Sequence, residues 1–161
     1  MPLRSPSKTP VQPDDPAAVR LAALTLLARR DFASGELRHK LAERGFAESA
    51  VRAVLAELSA AGHLNEARYV ESQVRVHVGR GQGPVRIRAD LRRNEVPEGL
   101  IETGLSAVDW LELARKVRRA KFGAQAPGDW SEKARQARFL QYRGFSADHI
   151  RAATGADPEF E

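Results

Sequence analysis

The side chains with the most chemistry to offer are arginines. Arg75, Arg80, Arg86, Arg88, Arg92 and Arg93 occupy one stretch whose only acid is Asp90, and Arg115, Lys116, Arg118 and Arg119 follow as a second set. A guanidinium stays charged and presents a planar fork of donors that matches the paired oxygens of a carboxylate or phosphate. Concentrated this way, the two sets predict a surface for a polyanionic or acidic partner, with merely solvated helix faces as the alternative. Between Arg75 and Arg86 runs Gly79-Arg80-Gly81-Gln82-Gly83-Pro84. Alternating glycines interrupt a helix, and the fixed φ of Pro84 suits the first turn of the next. Gly79, Gly81, Gly83 and Pro84 are therefore expected to form a flexible basic hinge.

Other chemistry finds little support. His39, His63, His77 and His149 do not stand at metal-ligand spacing with one another or with carboxylates, and each is expected at the surface or at a helix end. The glycines at 79, 81 and 83 are followed by no Gly-Lys-Ser/Thr and preceded by no strand, so they make neither a P-loop nor a dinucleotide fingerprint. No nucleophile pairs with a base, and Ser34 and Ser146 read as helix caps. The chain has no cysteine, which removes disulfides and thiolate sites. No catalytic residue, metal or cofactor is expected.

The elements that must position these arginines are helical. The 161 residues are rich in Ala, Leu, Arg and Glu, with six Phe, two Trp and two Tyr, and no long stretch alternates as a half-buried strand does. The net charge of +5 is spread along the chain rather than gathered in a tail. No apolar run approaches the ~20 residues of a membrane span, and a cytoplasmic location is expected.

In order, residues 1–15 hold four prolines and read as a disordered arm. Asp14 or Asp15 caps a first helix with Leu21, Leu24, Leu27 and Ala28 at helical spacing. Ser34 caps a second with Leu37 and Leu41 inward; Gly45 ends it and Phe46 folds back. A third starts near Ala47 on Val51, Val54, Leu55 and Leu58. Asn65 caps a helix with the stripe Ala67, Val70, Val74 and Val78. After the glycines comes a helix from Pro84 to about Asn94 with Ile87 and Leu91 inward; Arg86 and Arg93 share one flank, Arg88 and Arg92 the other. Asp109 caps a helix with Trp110, Leu113, Ala114 and Val117 inward and Arg115, Arg118 and Arg119 on or near the opposite face. Trp130, Ala134, Ala137 and Leu140 face inward from the next, and Ser146 caps a last short helix carrying Ile150 and Ala153.

The same design recurs. An offset of 50 places Leu37 on Ile87, Leu41 on Leu91, Phe46 on Val96, Val51 on Ile101 and Leu55 on Leu105; an offset of 99 places Arg44-Gly45-Phe46 on Arg143-Gly144-Phe145. Three copies of one unit are implied. The expected fold is all-α, a tandem array of three three-helix repeats of about 50 residues, elongated and curved. The divisions are an arm over 1–15, repeats over 16–62, 63–107 and 108–154, and a tail over 155–161.

Three segments carry a resemblance. Leu37-x-x-Lys40-Leu41-x-x-Arg44-Gly45-Phe46, then Tyr69-x-x-Ser72 through Arg80-Gly81-Gln82-Gly83-Pro84-x-x-Ile87-x-x-x-Leu91, then Arg138 to Ser146 resemble the RecX family, modulators of the RecA recombinase, over about residues 21–153. His77 stands where the family usually has a basic or polar residue, and Tyr69 where Phe is commoner. The resemblance implies a tandem of three three-helix modules. It also implies a non-enzymatic, monomeric inhibitor that lodges along the RecA filament on DNA, with single- or double-stranded DNA as a possible direct partner. Strand exchange, ATP hydrolysis and co-protease activity would fall. The alternative is an autonomous helix-turn-helix-like DNA-binding regulator, for which residues 47–61 make a poor recognition helix, carrying Glu48, Glu57 and only Arg52.

Overall fold

The sequence pattern alternates helix-forming stretches of about ten residues with Gly, Pro and Asx breakers, and the computed structural model realises each stretch as an α-helix. It describes residues 12–156; residues 1–11 of the expected arm and 157–161 of the expected tail lie outside the described residues. Nine helices are found among the described residues: α1 (Pro16–Leu27), α2 (Ser34–Glu43), α3 (Glu48–Ala60), α4 (Glu66–Gly79), α5 (Pro84–Arg93), α6 (Glu98–Ser106), α7 (Trp110–Phe122), α8 (Trp130–Tyr142) and α9 (Ala147–Thr154). No described residue is in a strand.

The repeat is exact in register where it matters. Shifted by 50, α2 becomes α5 and the start of α3 becomes the start of α6; shifted by 99, the ends of α2 and starts of α3 become the end of α8 and the start of α9. The turn between these helices explains why. Gly45 has φ 89° and Gly144 φ 88°. The Phe46 N–H donates to the Leu41 carbonyl at 3.3 Å and the Phe145 N–H to that of Leu140 at 3.2 Å. This is the left-handed helix stop with its returning hydrophobic residue. In the middle copy the same position is Glu95, the one non-glycine with positive φ among the described residues, at 60°. A β-carbon is strained there, and the Glu95 carboxylate is held by Arg38.

Contacts divide the chain into two compact units. The first runs to Tyr69 and takes in Asn94–Val96; the second comprises Val70–Arg93 and the chain from Pro97 on, so the division falls inside α4. The first is built on Val19, Ala23, Leu26, Phe32, Leu37, Leu41, Val51, Val54, Leu55, Leu58 and Leu64. In it the Asn94 amide donates to the Tyr69 hydroxyl at 2.9 Å, and Asp31 takes a forked pair of bonds from Arg68 at 2.8–2.9 Å. In the second, Ala114, Ala137, Leu140, Phe145, Ile150 and Ala156 form one cluster, with Ile87, Leu91, Ile101 and Leu105 also buried.

Several expectations need correction. α1 buries Val19, Ala23 and Leu26, and Leu21 is 70% exposed. That helix is apolar nearly all round, so periodicity had no polar face to orient it. Ser34 is the first residue of α2 rather than its cap; Ala33 holds the cap position and offers no side-chain bond. The missing acceptor comes from afar, since the Ser34 backbone bonds to the carboxylate of Glu66. Ala67 is exposed, and His77, not at the surface, is buried on the stripe of Val70 and Val74. Trp130 is 65% exposed: it begins α8, and the inward stripe continues there past the edge of the core. Gly155 and Ala156 are not frayed, because Gly155 is the left-handed cap of α9 and the Ala156 N–H donates to Thr154 Oγ1 at 3.2 Å. The caps at Asp15, Asn65, Asp109 and Ser146 are as expected.

Candidate functional site

The glycine segment between α4 and α5 is a packed junction. Gly83 is buried, its N–H donates to the Arg143 carbonyl at 2.7 Å, and the Val85 N–H donates to the Gly144 carbonyl at 2.9 Å. A β-carbon on Gly83 would stand 2.5 Å from the Gly144 oxygen, and one on Gly144 would stand 2.5 Å from Arg86 Cβ. Two backbones meet here with no room for a side chain. Gly81 needs its left-handed φ of 68°, whereas Gly79 has open space around it. Pro84 starts α5 and is buried. The chain here is thus held by Arg143–Phe145, and the two motifs, far apart in sequence, are the two halves of one contact.

Inside that junction His77 bonds to Gln82, Nδ1 to Oε1 at 2.5 Å, and its Nε2 lies 3.4 Å from Asp90. Asp90 in turn faces Arg93 at 3.4 Å. The buried ring ties the end of α4 to the turn and to α5, a positional role that only its partners reveal.

The ten cations expected at a binding surface separate into three groups. On α5, Arg88 is paired with Glu102 at 3.0 Å and Arg92 with Glu98 at 2.6 Å, both acids coming from α6. The Arg92 hydrogen bond holds the Glu98 carboxyl below the usual carboxylate range and raises the guanidinium's own affinity for its proton. Arg119 is likewise paired, with Glu112 at 3.1 Å, and Arg93 sits more loosely against Asp90. These pairs are exposed and weak in stabilising terms, yet they cancel charge on the flank they occupy. By contrast Arg75, Arg80, Arg86, Arg115 and Lys116 are exposed and have no ion-pair partner among the described residues.

Arg118 is the third case and a correction. It is only 6% exposed, because it lies four residues after buried Ala114 and so falls on the inner stripe. Its Nη1 donates at 3.3 Å to the Gln125 carbonyl and at 3.3 Å to Gln136 Oε1. Gln136 donates onward to Glu132 at 2.9 Å, and Glu132 also pairs with Arg135. Donation from Arg135 first, and from Gln136 second, keeps the Glu132 carboxyl below its ordinary range. Arg118 therefore braces the Gly123–Gly128 loop against α8 and does not face outward with Arg115 and Arg119.

Three residues were missed by sequence reasoning. Lys121, Phe139 and Arg143 join Arg80, Gly81 and Val117 around a cleft of about 330 Å³. Arg143 Nη1 donates to the Arg80 carbonyl at 3.0 Å, and its guanidinium lies over the Phe139 ring at 5.1 Å. The available signal was the Arg-Gly-Phe that recurs at an offset of 99 and lies in the third family segment, neither of which assigns its arginine to a surface.

Comparison with known proteins adds the kinship. Family models for the first, second and third three-helix domains of RecX match residues 20–58, 65–105 and 107–154, in that order. The Regulatory protein RecX of Halorhodospira halophila is 51% identical over 144 residues, covering 88% of this chain and 89% of that protein. That of Ectopseudomonas mendocina is 42% identical over 147 residues, covering 89% and 98%. The crystal structure of RecX from Lactobacillus salivarius superposes with a TM-score of 0.75 at 21% identity, over 87% of this chain and 94% of that one.

Proposed function

The chain belongs to the RecX family of regulatory proteins, and from that premise we propose that it binds the RecA filament on DNA and lowers RecA's recombinase, ATPase and co-protease activities. The observation that carries the reading is the match of all three modules in order, at 51% identity to one regulatory relative across nearly its whole length. The protein acts by binding, as a non-enzymatic monomer in the cytoplasm. No helix among the described residues is long and apolar enough to cross a membrane.

The unpaired cations support this reading with a direction. Arg75, Arg80, Arg86, Arg115 and Lys116 carry charge that no described carboxylate cancels, so they are the part of the basic surface available to acidic protein groups or phosphates. Arg88, Arg92 and Arg119 contribute only after their own acids have been displaced. In this reading the glycine junction sets the α5 cations at a fixed angle to α8 and α9. Titrating the purified protein into RecA on single-stranded DNA tests it: ATP hydrolysis by RecA falls, and the protein alone hydrolyses none. RecA activity unchanged at saturating protein overturns the reading.

A further inference from the structure

The end of α9 brings the chain back to the start of α8. Both helices feed one cluster, which holds Ala137, Leu140, Ile150 and Ala156. Gly155, the left-handed cap of α9, sits where a β-carbon would lie 3.7 Å from Lys133 Nζ. A long helical side chain leans over the turn N-terminal to its own Cα, so the Lys133 amine stands over the first turn of α8 and Gly155 stands beside it. That turn begins with Trp130, which is 65% exposed. Yet Ala137, seven residues on and only about 20° away around the helix, is fully buried. Trp130 therefore lies on the face that α8 gives to the core, at the level where α9 ends and stops covering it.

The residues that follow Ala156 fit this uncovered turn. They are Asp157, Pro158, Glu159, Phe160 and Glu161, and they lie outside the described residues. A residue before proline is pushed out of the helical region toward extended backbone, so Asp157-Pro158 does not suit a prolonged α9. In an extended strip successive side chains face opposite ways. Pro158 and Phe160 then share one edge, and Asp157, Glu159 and Glu161 the other. Four extended residues span up to about 13 Å, against about 5 Å for one helical turn, so Phe160 reaches the first turn of α8 from Ala156 with length to spare. Charge agrees with this seat. Lys133 has no ion-pair partner among the described residues, and the first turn of a helix favours acids. Asp129 and Glu132 already stand there, one as the cap and one as the partner of Arg135. They oppose the added acids, which leaves the apolar edge as the part that holds.

We propose that residues 157–161 fold back as a strap over the first turn of α8, with Phe160 packed against Trp130. Seated there, the strap continues the core stripe of α8 and closes Trp130 to other proteins. The contact lies within this chain, so it is measured without RecA, and its failure would leave the regulatory reading standing.

The chain carries two tryptophans, and Trp110 is buried with its Nε1 donating to the Leu105 carbonyl at 2.8 Å. The emission maximum and acrylamide quenching of the full chain therefore report chiefly on Trp130. Phe160→Ala is expected to move the emission to longer wavelength and to raise the quenching. The ratio of covered to open Trp130 falls by roughly 2- to 13-fold, the worth of one aromatic pair. Helical circular dichroism stays at the parent value, because residue 160 follows the last helix. Trp130→Phe is the control, and in that background Phe160→Ala changes neither reading. Three results overturn the proposal. The first is a parent protein quenched as freely as Phe160→Ala. The second is an effect of Phe160→Ala that persists in the Trp130→Phe background. The third is an emission maximum that moves with protein concentration, which would assign the cover of Trp130 to a second copy of the chain.

Discussion

Alanine at Gly79, Gly83 and Gly144 makes three substitutions of one kind with three different outcomes. Gly79 ends α4 with ordinary φ and nothing within 4 Å of a β-carbon. Alanine there restricts only the unfolded chain and should stabilise by about 0.4–1 kcal/mol. At Gly83 the β-carbon would lie 2.5 Å from the Gly144 oxygen and 2.6 Å from the Phe145 nitrogen, and backbone cannot swing aside as a side chain can. Overpacking costs about 1–3 kcal/mol, and loosening the bonds to Arg143 and from Val85 adds about 0.5–1.5 kcal/mol each, so a loss of about 2–6 kcal/mol is expected. Gly144→Ala meets Arg86 Cβ at 2.5 Å and its backbone N at 3.0 Å, and forces a φ of 88° on a side chain, which adds about 1–2 kcal/mol of left-handed strain. Its loss should equal or exceed that of Gly83→Ala. Urea unfolding followed by circular dichroism reads these as midpoint shifts; at about 1–3 kcal/mol per molar, Gly83→Ala should fall by about 1 M or more while Gly79→Ala rises slightly. If Gly83→Ala unfolds at the midpoint of Gly79→Ala, the junction is not the close backbone contact described, and the glycines are spacers.

Glu95→Gly should stabilise by up to about 1 kcal/mol in the same assay, since relief of left-handed strain of about 1–2 kcal/mol outweighs an exposed pair with Arg38 worth about 0–1 kcal/mol. Burial lifts the Glu66 carboxyl above its ordinary range, against the lowering effect of the Ser34 bond, and its Oε2 is buried with no partner found. Folded Glu66 thus keeps its proton to higher pH than the unfolded chain does, so its contribution to stability falls as pH rises between those two values. Glu66→Gln should match the parent at acid pH and exceed it above that window, and melting temperature against pH checks the sign. Arg118→Ala strips the loop carbonyl of Gln125 and the buried Gln136 of their donor and should cost about 1–3 kcal/mol, whereas Arg115→Ala should stay within about 0.5 kcal/mol; equal effects in thermal melts would refute the burial. Arg86→Glu/Arg93→Glu should change the melt little, because neither faces the Ile87–Leu91 stripe and the exposed Arg93–Asp90 pair it removes is worth only about 0–1 kcal/mol, yet weaken binding to RecA–DNA in a pull-down, as raised salt does. Retained binding would move the interface elsewhere.

The helices, their caps and the threefold repeat were legible because they rest on local physics. Gly45 and Gly144 stop their helices through a conformation that glycine enters cheaply, and the period of about 50 residues survives in apolar positions that every copy must bury. The sequence by itself determined an all-helical chain of three like modules with its arginines gathered near the glycines. The tertiary structure decided which arginines are available, because charge cancellation depends on neighbours from other helices. Nothing local separates Arg88, met by Glu102 of α6, from Arg86, which meets no acid. Burial was decided the same way: Arg118 and Arg119 are adjacent in sequence, but one turns onto the inner stripe and finds Gln136 while the other stays in water. The turn at residues 79–83 read as a hinge because glycine is permissive in isolation; it is a fixed junction because Gly144, more than sixty residues later, brings a second backbone against it.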